Sequence, residues 1–139
     1  MTFDEIIAYS LTKPDAFVCH PFGDEDGGDT VKVRFSDGST RIIAMTFVLR
    51  GKPCATFRCD AGTGLLLRGL HPEAVTRGWH CPPSQQPYFN TVDLAGDVPD
   101  GAIYEMIDNS YEYVLSKMPK RVREEAEAER RLLGDNSTK

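Results

Sequence analysis

The 139 residues carry 40% apolar and 27% charged side chains and a formal net charge of −5, which fits one globular domain with a core of ordinary size and leaves no room for a second. No run of about 18 apolar residues occurs, which excludes a membrane-spanning helix. The opening Thr2-Phe3-Asp4-Glu5 has neither the basic nor the apolar region of a secretory leader, so the expectation is a cytoplasmic protein with no membrane partner. Charge is spread unevenly: residues 1–40 sum to −5, residues 41–90 to +4 and residues 91–139 to −4. An acidic total opposes strong non-specific binding to nucleic acid, because phosphate contacts supply most of that affinity. The basic middle can still form a local positive face, or its bases can simply be the solvated sides of strands.

Thr2-Phe3-Asp4-Glu5 has the form of a capping box. Phe3, Ile6, Ile7 and Leu11 follow at helical spacing, and Pro14 ends the run. His20-Pro21-Phe22-Gly23 and the acidic Asp24–Asp29 stretch read as turn and loop. Asp24, Asp26, Gly27 and Asp29 partly follow a calcium loop, but the position where an EF-hand places its bidentate Glu is Phe35, so the reading is a plain solvated loop.

From Thr30 the period changes to two. Val31, Val33 and Phe35 alternate with Lys32 and Arg34, and Asp37-Gly38 is a hairpin turn. The return strand covers Thr40 to Leu49. Arg50-Gly51-Lys52-Pro53 makes the next turn, and Cys54 to Cys59 forms a third strand. Asp60–Gly64 reads as a further turn and Leu65–Arg68 as a short fourth strand, completing an antiparallel meander. His71–Gly78 fits a helical turn opened by Pro72 and Glu73, and residues 80–88, with three prolines, fit only a loop. Phe89–Leu94 is a fifth strand with Val92 and Leu94 on its buried face.

Pro99 and Asp100 then start a helix. Its stripe of Ile103, Met106, Ile107, Ser110, Tyr111, Val114 and Met118 at 3.6-residue period faces the core. Pro119 interrupts it. Lys120–Leu133 is a second, more exposed and highly charged helix, and Gly134 begins a frayed tail. The division expected is a domain over residues 1–120 with a charged helical extension over 121–139.

Signatures of chemistry are missing. There is no G-x-G-x-x-G, Walker loop, G-x-S-x-G or H-E-x-x-H, so no catalytic, cofactor-binding or metal-binding residue is expected, and the chain reads as a non-enzymatic protein. Cys19, Cys54, Cys59 and Cys81 include no C-x-x-C pair and read as buried or half-buried free thiols. His80 lies beside Cys81, but thiolate–imidazole pairs assemble across a fold rather than between neighbours. Trp79, Tyr88 and Phe89 are either an aromatic platform for bases or a partner, or the lid of a small core.

Asn90-Thr91-Val92-Asp93-Leu94-Ala95-Gly96-Asp97-Val98-Pro99-Asp100, followed by Ile107-Asp108-Asn109-Ser110-Tyr111-Glu112, resembles the C-terminal signature of the MmcQ/YjbR family of small bacterial proteins. Pro21-Phe22-Gly23, Gly51-Lys52 and Gly78-Trp79-His80 add upstream matches. The chain departs from the family pattern at Phe89, where Trp is usual, and in the proline-rich loop, which replaces a basic run. The resemblance implies an α+β fold: an antiparallel sheet of about five strands with the N- and C-terminal helices on one face, similar to frataxin-like and secretion-chaperone-like architectures. Family members are often described as DNA-binding, and no enzymatic reaction is attached to them. The expectation is therefore a binding protein that contacts DNA, weakly and in a salt-sensitive way, through Arg41, Arg50, Lys52, Arg58 and Arg68. The alternative is a protein-interaction adaptor or small homodimer that binds no nucleic acid.

Overall fold

In the computed structural model, which describes residues 1–21, 28–78 and 81–137, the chain runs α1 (Phe3–Ser10), β1 (Ala16–Cys19), β2 (Thr30–Arg34), β3 (Thr40–Leu49), β4 (Lys52–Arg58), α2 (Ala61–Leu70), β5 (Val75–Arg77), a 3-10 turn (Gln86–Tyr88), β6 (Phe89–Asp93), α3 (Asp100–Ser116) and α4 (Lys120–Ser137). The fold is α+β. All six strands form one sheet in the order β1-β2-β3-β4-β6-β5, and every pairing is antiparallel. The calcium-loop reading at Asp24, Asp26 and Gly27 and the readings at Phe22, Trp79 and His80 lie outside the described residues.

Local chemistry sets several boundaries where expected. The Thr2 hydroxyl accepts from the Glu5 N–H at 3.1 Å and the Glu5 carboxylate accepts from the Thr2 N–H at 3.2 Å, closing the capping box of α1. Leu49 pairs with Lys52, so the β3–β4 hairpin turns on two residues, Arg50 at φ 52° and Gly51 at φ 78°. Positive φ at both central positions is what a type I′ turn requires, and its twist matches that of the strands. Lys52 and Pro53 thereby belong to β4 rather than to the turn.

Three expectations are corrected. Leu65–Arg68 is not a strand but the middle of α2. Asp60 caps this helix by accepting from the Thr63 N–H at 2.9 Å, and Gly62, Gly64 and Gly69 conceal its helical spacing. Gly64 is required there, because a Cβ would stand 2.9 Å from the Cys59 Sγ and 3.2 Å from the Pro87 carbonyl oxygen. Residues 75–77, read within a helical turn, form the edge strand β5, and Ala16–Cys19, read without any structure, form the opposite edge, β1. The sheet so gains two short strands and loses one. The helix after Pro119 also runs past Gly134, to Ser137.

Helix α3 lies across β3 and β4, and α1 packs on β3 and α3. The predicted stripe of α3 is buried along its length, joining Ile6 of α1 and the inward row Val31, Val33, Ala44, Ala55, Phe57 and Val92 of the sheet. Val122 and Ala126 of α4 pack on this same core. Met45, Phe47 and Cys54 form a second, smaller cluster with Ile42 and Leu49.

One polar contact fixes α3 on the sheet. The β3–β4 register ends at Ala44 opposite Phe57, and the next rung is not made between the strands. The Ser110 hydroxyl, fully buried, accepts from the Arg58 N–H at 3.1 Å and donates to the Ile43 carbonyl at 2.6 Å. Ser110→Ala strands both backbone groups, each worth about 1–3 kcal/mol when buried without a partner. Urea unfolding should show the variant less stable by about 2–4 kcal/mol on that basis, whereas a loss under about 0.5 kcal/mol, the level of a neutral surface change, would contradict the bridge.

Candidate functional site

The five bases proposed from sequence are spread along the β3–β4 hairpin and onto α2. Arg41 is the second residue of β3 and Arg58 the last of β4, so both lie at one end of that hairpin, while Arg50 lies in its turn and Lys52 opens β4 beside it. Nine residues of β3 at ~3.3 Å each separate the two ends by roughly 30 Å. The intervening positions Met45, Thr46, Phe47, Ala55 and Thr56 are buried.

Two of the five are also occupied inside the protein. Arg58 packs its guanidinium 4.6 Å from the centre of the Phe89 ring, its partner across the β4–β6 register, and its Nε donates to the Ile42 carbonyl at 3.0 Å. Burial, reinforced by the neighbouring Arg41, lowers its pKa. Arg68 lies on α2 and not on a strand, and donates to the Asn90 Oδ1 at 2.7 Å. The Asn90 amide in turn donates to the Gly64 carbonyl at 3.2 Å, so this pair ties α2 to β6. Arg41 donates to its neighbour, the Thr40 carbonyl, at 2.8 Å, and Lys52 stands 3.6 Å from Asp93. Arg50 is exposed at the hairpin tip.

The aromatic group resolves in the same direction. Phe89 is buried beneath Arg58, and Tyr88 stacks on Tyr113 of α3 with ring centres 6.3 Å apart. These rings join the proline loop to the body of the protein.

The thiols are single. Cys19, Cys54, Cys59 and Cys81 are all free, and among the described residues no three His, Cys, Asp or Glu side chains stand close enough together to hold a metal ion. Burial raises the Cys59 thiol to about 11 and also raises Cys54 and Cys81 above their ordinary value. A raised pKa favours the neutral thiol, which is a poor nucleophile.

The surface feature that sequence reading missed is α2 itself. Gly64, Leu67 and Arg68 face inward, while Ala61, Gly62, Leu65, Leu66, Gly69 and Leu70 are exposed. Leu65, Leu66 and Leu70 are 64%, 62% and 61% exposed. The fully exposed positions of this helix therefore bear no polar side chain, with the half-buried Thr63 and Arg68 at its margins, the reverse of an ordinary surface helix. Asp60-x-x-Thr63 before Leu65, Leu66 and Leu70 was the available signal: a cap followed by helical spacing.

The comparisons with known proteins agree with the geometry. The YjbR family model matches residues 11–113. The chain is 24% identical over 123 residues to the uncharacterized protein YjbR of Escherichia coli K12, a match spanning 88% of this chain and 95% of that protein. A Deinococcus radiodurans crystal structure with a DUF419 domain superposes with a TM-score of 0.77 at 26% identity, covering 90% of this chain and 87% of the other. A Pseudomonas syringae crystal structure at 18% identity shares the fold, with a TM-score of 0.63 over 81% of this chain and 98% of its own.

The thiol geometry is checked by chemical labelling. A disulfide exchange reagent at pH 8 should leave Cys54 and Cys59 unmodified in the folded protein and react with both in urea. Rapid labelling of either one in the native state would contradict its burial.

Proposed function

The chain belongs to the YjbR family, whose function is uncharacterised, and from that premise we propose that it is a non-enzymatic binding protein whose contact with another protein chain is the exposed face of α2. The observation that carries this reading is the trio Leu65, Leu66 and Leu70, each more than half exposed on a helix face without charge. Contiguous apolar surface of this kind marks interaction sites. Fully burying an exposed leucine is worth about 1.5–3 kcal/mol, so covering three such side chains supplies a substantial part of a binding energy.

The partner chemistry follows from the face. Gly62 and Gly69 stand seven residues apart on the same side of α2, flanking the leucines, and a Cβ at Gly69 would meet nothing. A second helix can therefore approach closely and lay its own apolar stripe on the leucines, as in helix-in-groove recognition. A standard interface buries about 800 Å² on each partner, so the contact extends past α2 to its neighbours, where Tyr88 is also exposed.

Leu66→Glu with Leu70→Glu places two charges on this face without touching the core. The double variant should unfold at the wild-type midpoint and lose any self-association seen by light scattering, or lose capture of a discrete partner that the wild type retains. Unchanged association and capture in the folded double variant would remove the reading.

DNA binding is the second reading, and the observation favouring it is the exposed Arg50 at the hairpin tip with Lys52 beside it. The tip then acts as a small wing against phosphates, and binding is weak because few phosphates are neutralised. A mobility shift at low salt should weaken steeply towards physiological salt and be reduced by Arg50→Asn with Lys52→Gln. Asn tolerates positive φ, so this turn keeps its shape and the loss reports on charge. No complex with duplex DNA at low salt would eliminate this reading.

A further inference from the structure

Helix α4 is a charged element laid over apolar residues that it covers incompletely. Between Lys120 and Leu133 the one fully buried side chain is Val122, while Arg123, Ala126, Glu129 and Arg130 are half-buried. Val33, Phe35 and Tyr111 are buried and share with Ala126 and Glu129 the walls of a cleft of about 200 Å³. A methyl group and a carboxylate stem thus stand where a larger apolar side chain would fit, so α4 gains less packing here than a well-filled core would give it.

The polar tie between α4 and α3 is also slight. The Arg130 guanidinium lies over the Tyr111 ring, 5.2 Å from its centre, and donates to the Glu112 carboxylate of α3 at 2.6 Å. The two side chains are 42% and 54% exposed, and an ion pair in that setting is weak and is screened by salt. Past Arg130 the apolar Leu132 and Leu133 are exposed.

Helix α4 does not depend on the body of the protein for its helical form. It is rich in Glu, Ala, Arg and Leu, all strong helix formers. Lys120–Glu124 and Arg121–Glu125 add i, i+4 pairs at 3.9 Å along its surface. It starts at Pro119, whose carbonyl accepts from the Arg123 N–H at 3.0 Å. Met118, the residue before it, is buried in the core. A fixed point and the end of a self-sufficient helix are therefore adjacent in the chain, and Pro119 has no N–H with which to continue α3 into α4.

We propose that α4 is a hinged cover, pivoting at Met118-Pro119 and latched by the Arg130–Glu112 pair, that opens as one unit and uncovers the apolar strip of Val33, Phe35 and Tyr111. This movement is separate from the α2 face. Opening needs only the loss of the latch and of a poorly filled contact, so it occurs well below the free energy of unfolding the whole domain. Salt favours the open form by screening the latch.

The test is fluorine NMR of the full chain labelled with 3-fluorotyrosine, with Tyr111→Phe used only to assign the Tyr111 resonance. Saturation transfer should reveal a minor state at Tyr111 and none at Tyr9 or Tyr104, which pack on each other between α1 and α3. Arg130→Ala should raise the minor population roughly two- to fivefold, the effect of losing an exposed ion pair. Ala126→Leu should lower it by a similar factor or more, because the leucine fills the cleft. Added sodium chloride should raise the population in the wild type and leave Arg130→Ala unchanged. A minor state shared by Tyr9 and Tyr104 would report unfolding of the whole domain and overturn the proposal. So would the absence of a minor state in Arg130→Ala, a population that Ala126→Leu leaves unchanged, or one in the wild type that salt does not move.

Discussion

The Ser110 hydroxyl does the work of a missing rung between two strands, and much of the molecule is arranged around it. Where β3 and β4 stop pairing, an exposed edge would leave the Arg58 N–H and the Ile43 carbonyl to water. Here both are covered by α3, so they must be satisfied by the covering element itself. Ile43 is also the residue at which β3 slips against β2, since Val31 pairs with Ala44 and Lys32 with Ile42. The bridge therefore stands where the ladder is interrupted on both sides. A side chain with one donor and one acceptor, short enough to reach both groups, meets that need, and Ser supplies it.

Fixing α3 at this point places what flanks it. One residue further along, the Tyr111 ring lies beneath Arg130 of α4, whose guanidinium stands 5.2 Å from the ring centre. Tyr113 faces the other way and stacks on Tyr88, holding the proline loop. Asp108, on the opposite side of the helix, accepts from the Tyr9 hydroxyl at 2.8 Å and binds Lys13, so α1 is located by the same element. One helix thus carries the contacts that locate its neighbours.

What could be read in the sequence was whatever a local pattern encodes. The capping box at Thr2 and Glu5, the turns at Asp37-Gly38 and Arg50-Gly51, and the stripe from Ile103 to Met118 each depend on residues a few positions apart, and each is where the pattern puts it. The four-residue β1 and three-residue β5 are too short to show a period. In α2 three glycines lower helix propensity and three consecutive leucines imitate a buried strand, while the single clear signal is the cap at Asp60. The spread of the five bases was hidden for another reason. Arg41 and Arg50 are neighbours in a list of bases, but an extended strand carries them apart, and the half-buried Arg58 is held against Phe89 by pairing between distant strands.

The edges of the sheet bear on how this protein can meet others. An unpaired strand edge is a template on which another chain can add a strand, but the length of the template limits what it offers. Here the outermost strands are β1, with four residues, and β5, with three. Each can give only a few backbone hydrogen bonds to a newcomer, so lateral growth of the sheet gains little and the chain is guarded against edge-to-edge aggregation. Association is thereby left to side-chain surfaces, which can be selective about shape and charge in a way that a bare backbone ladder cannot.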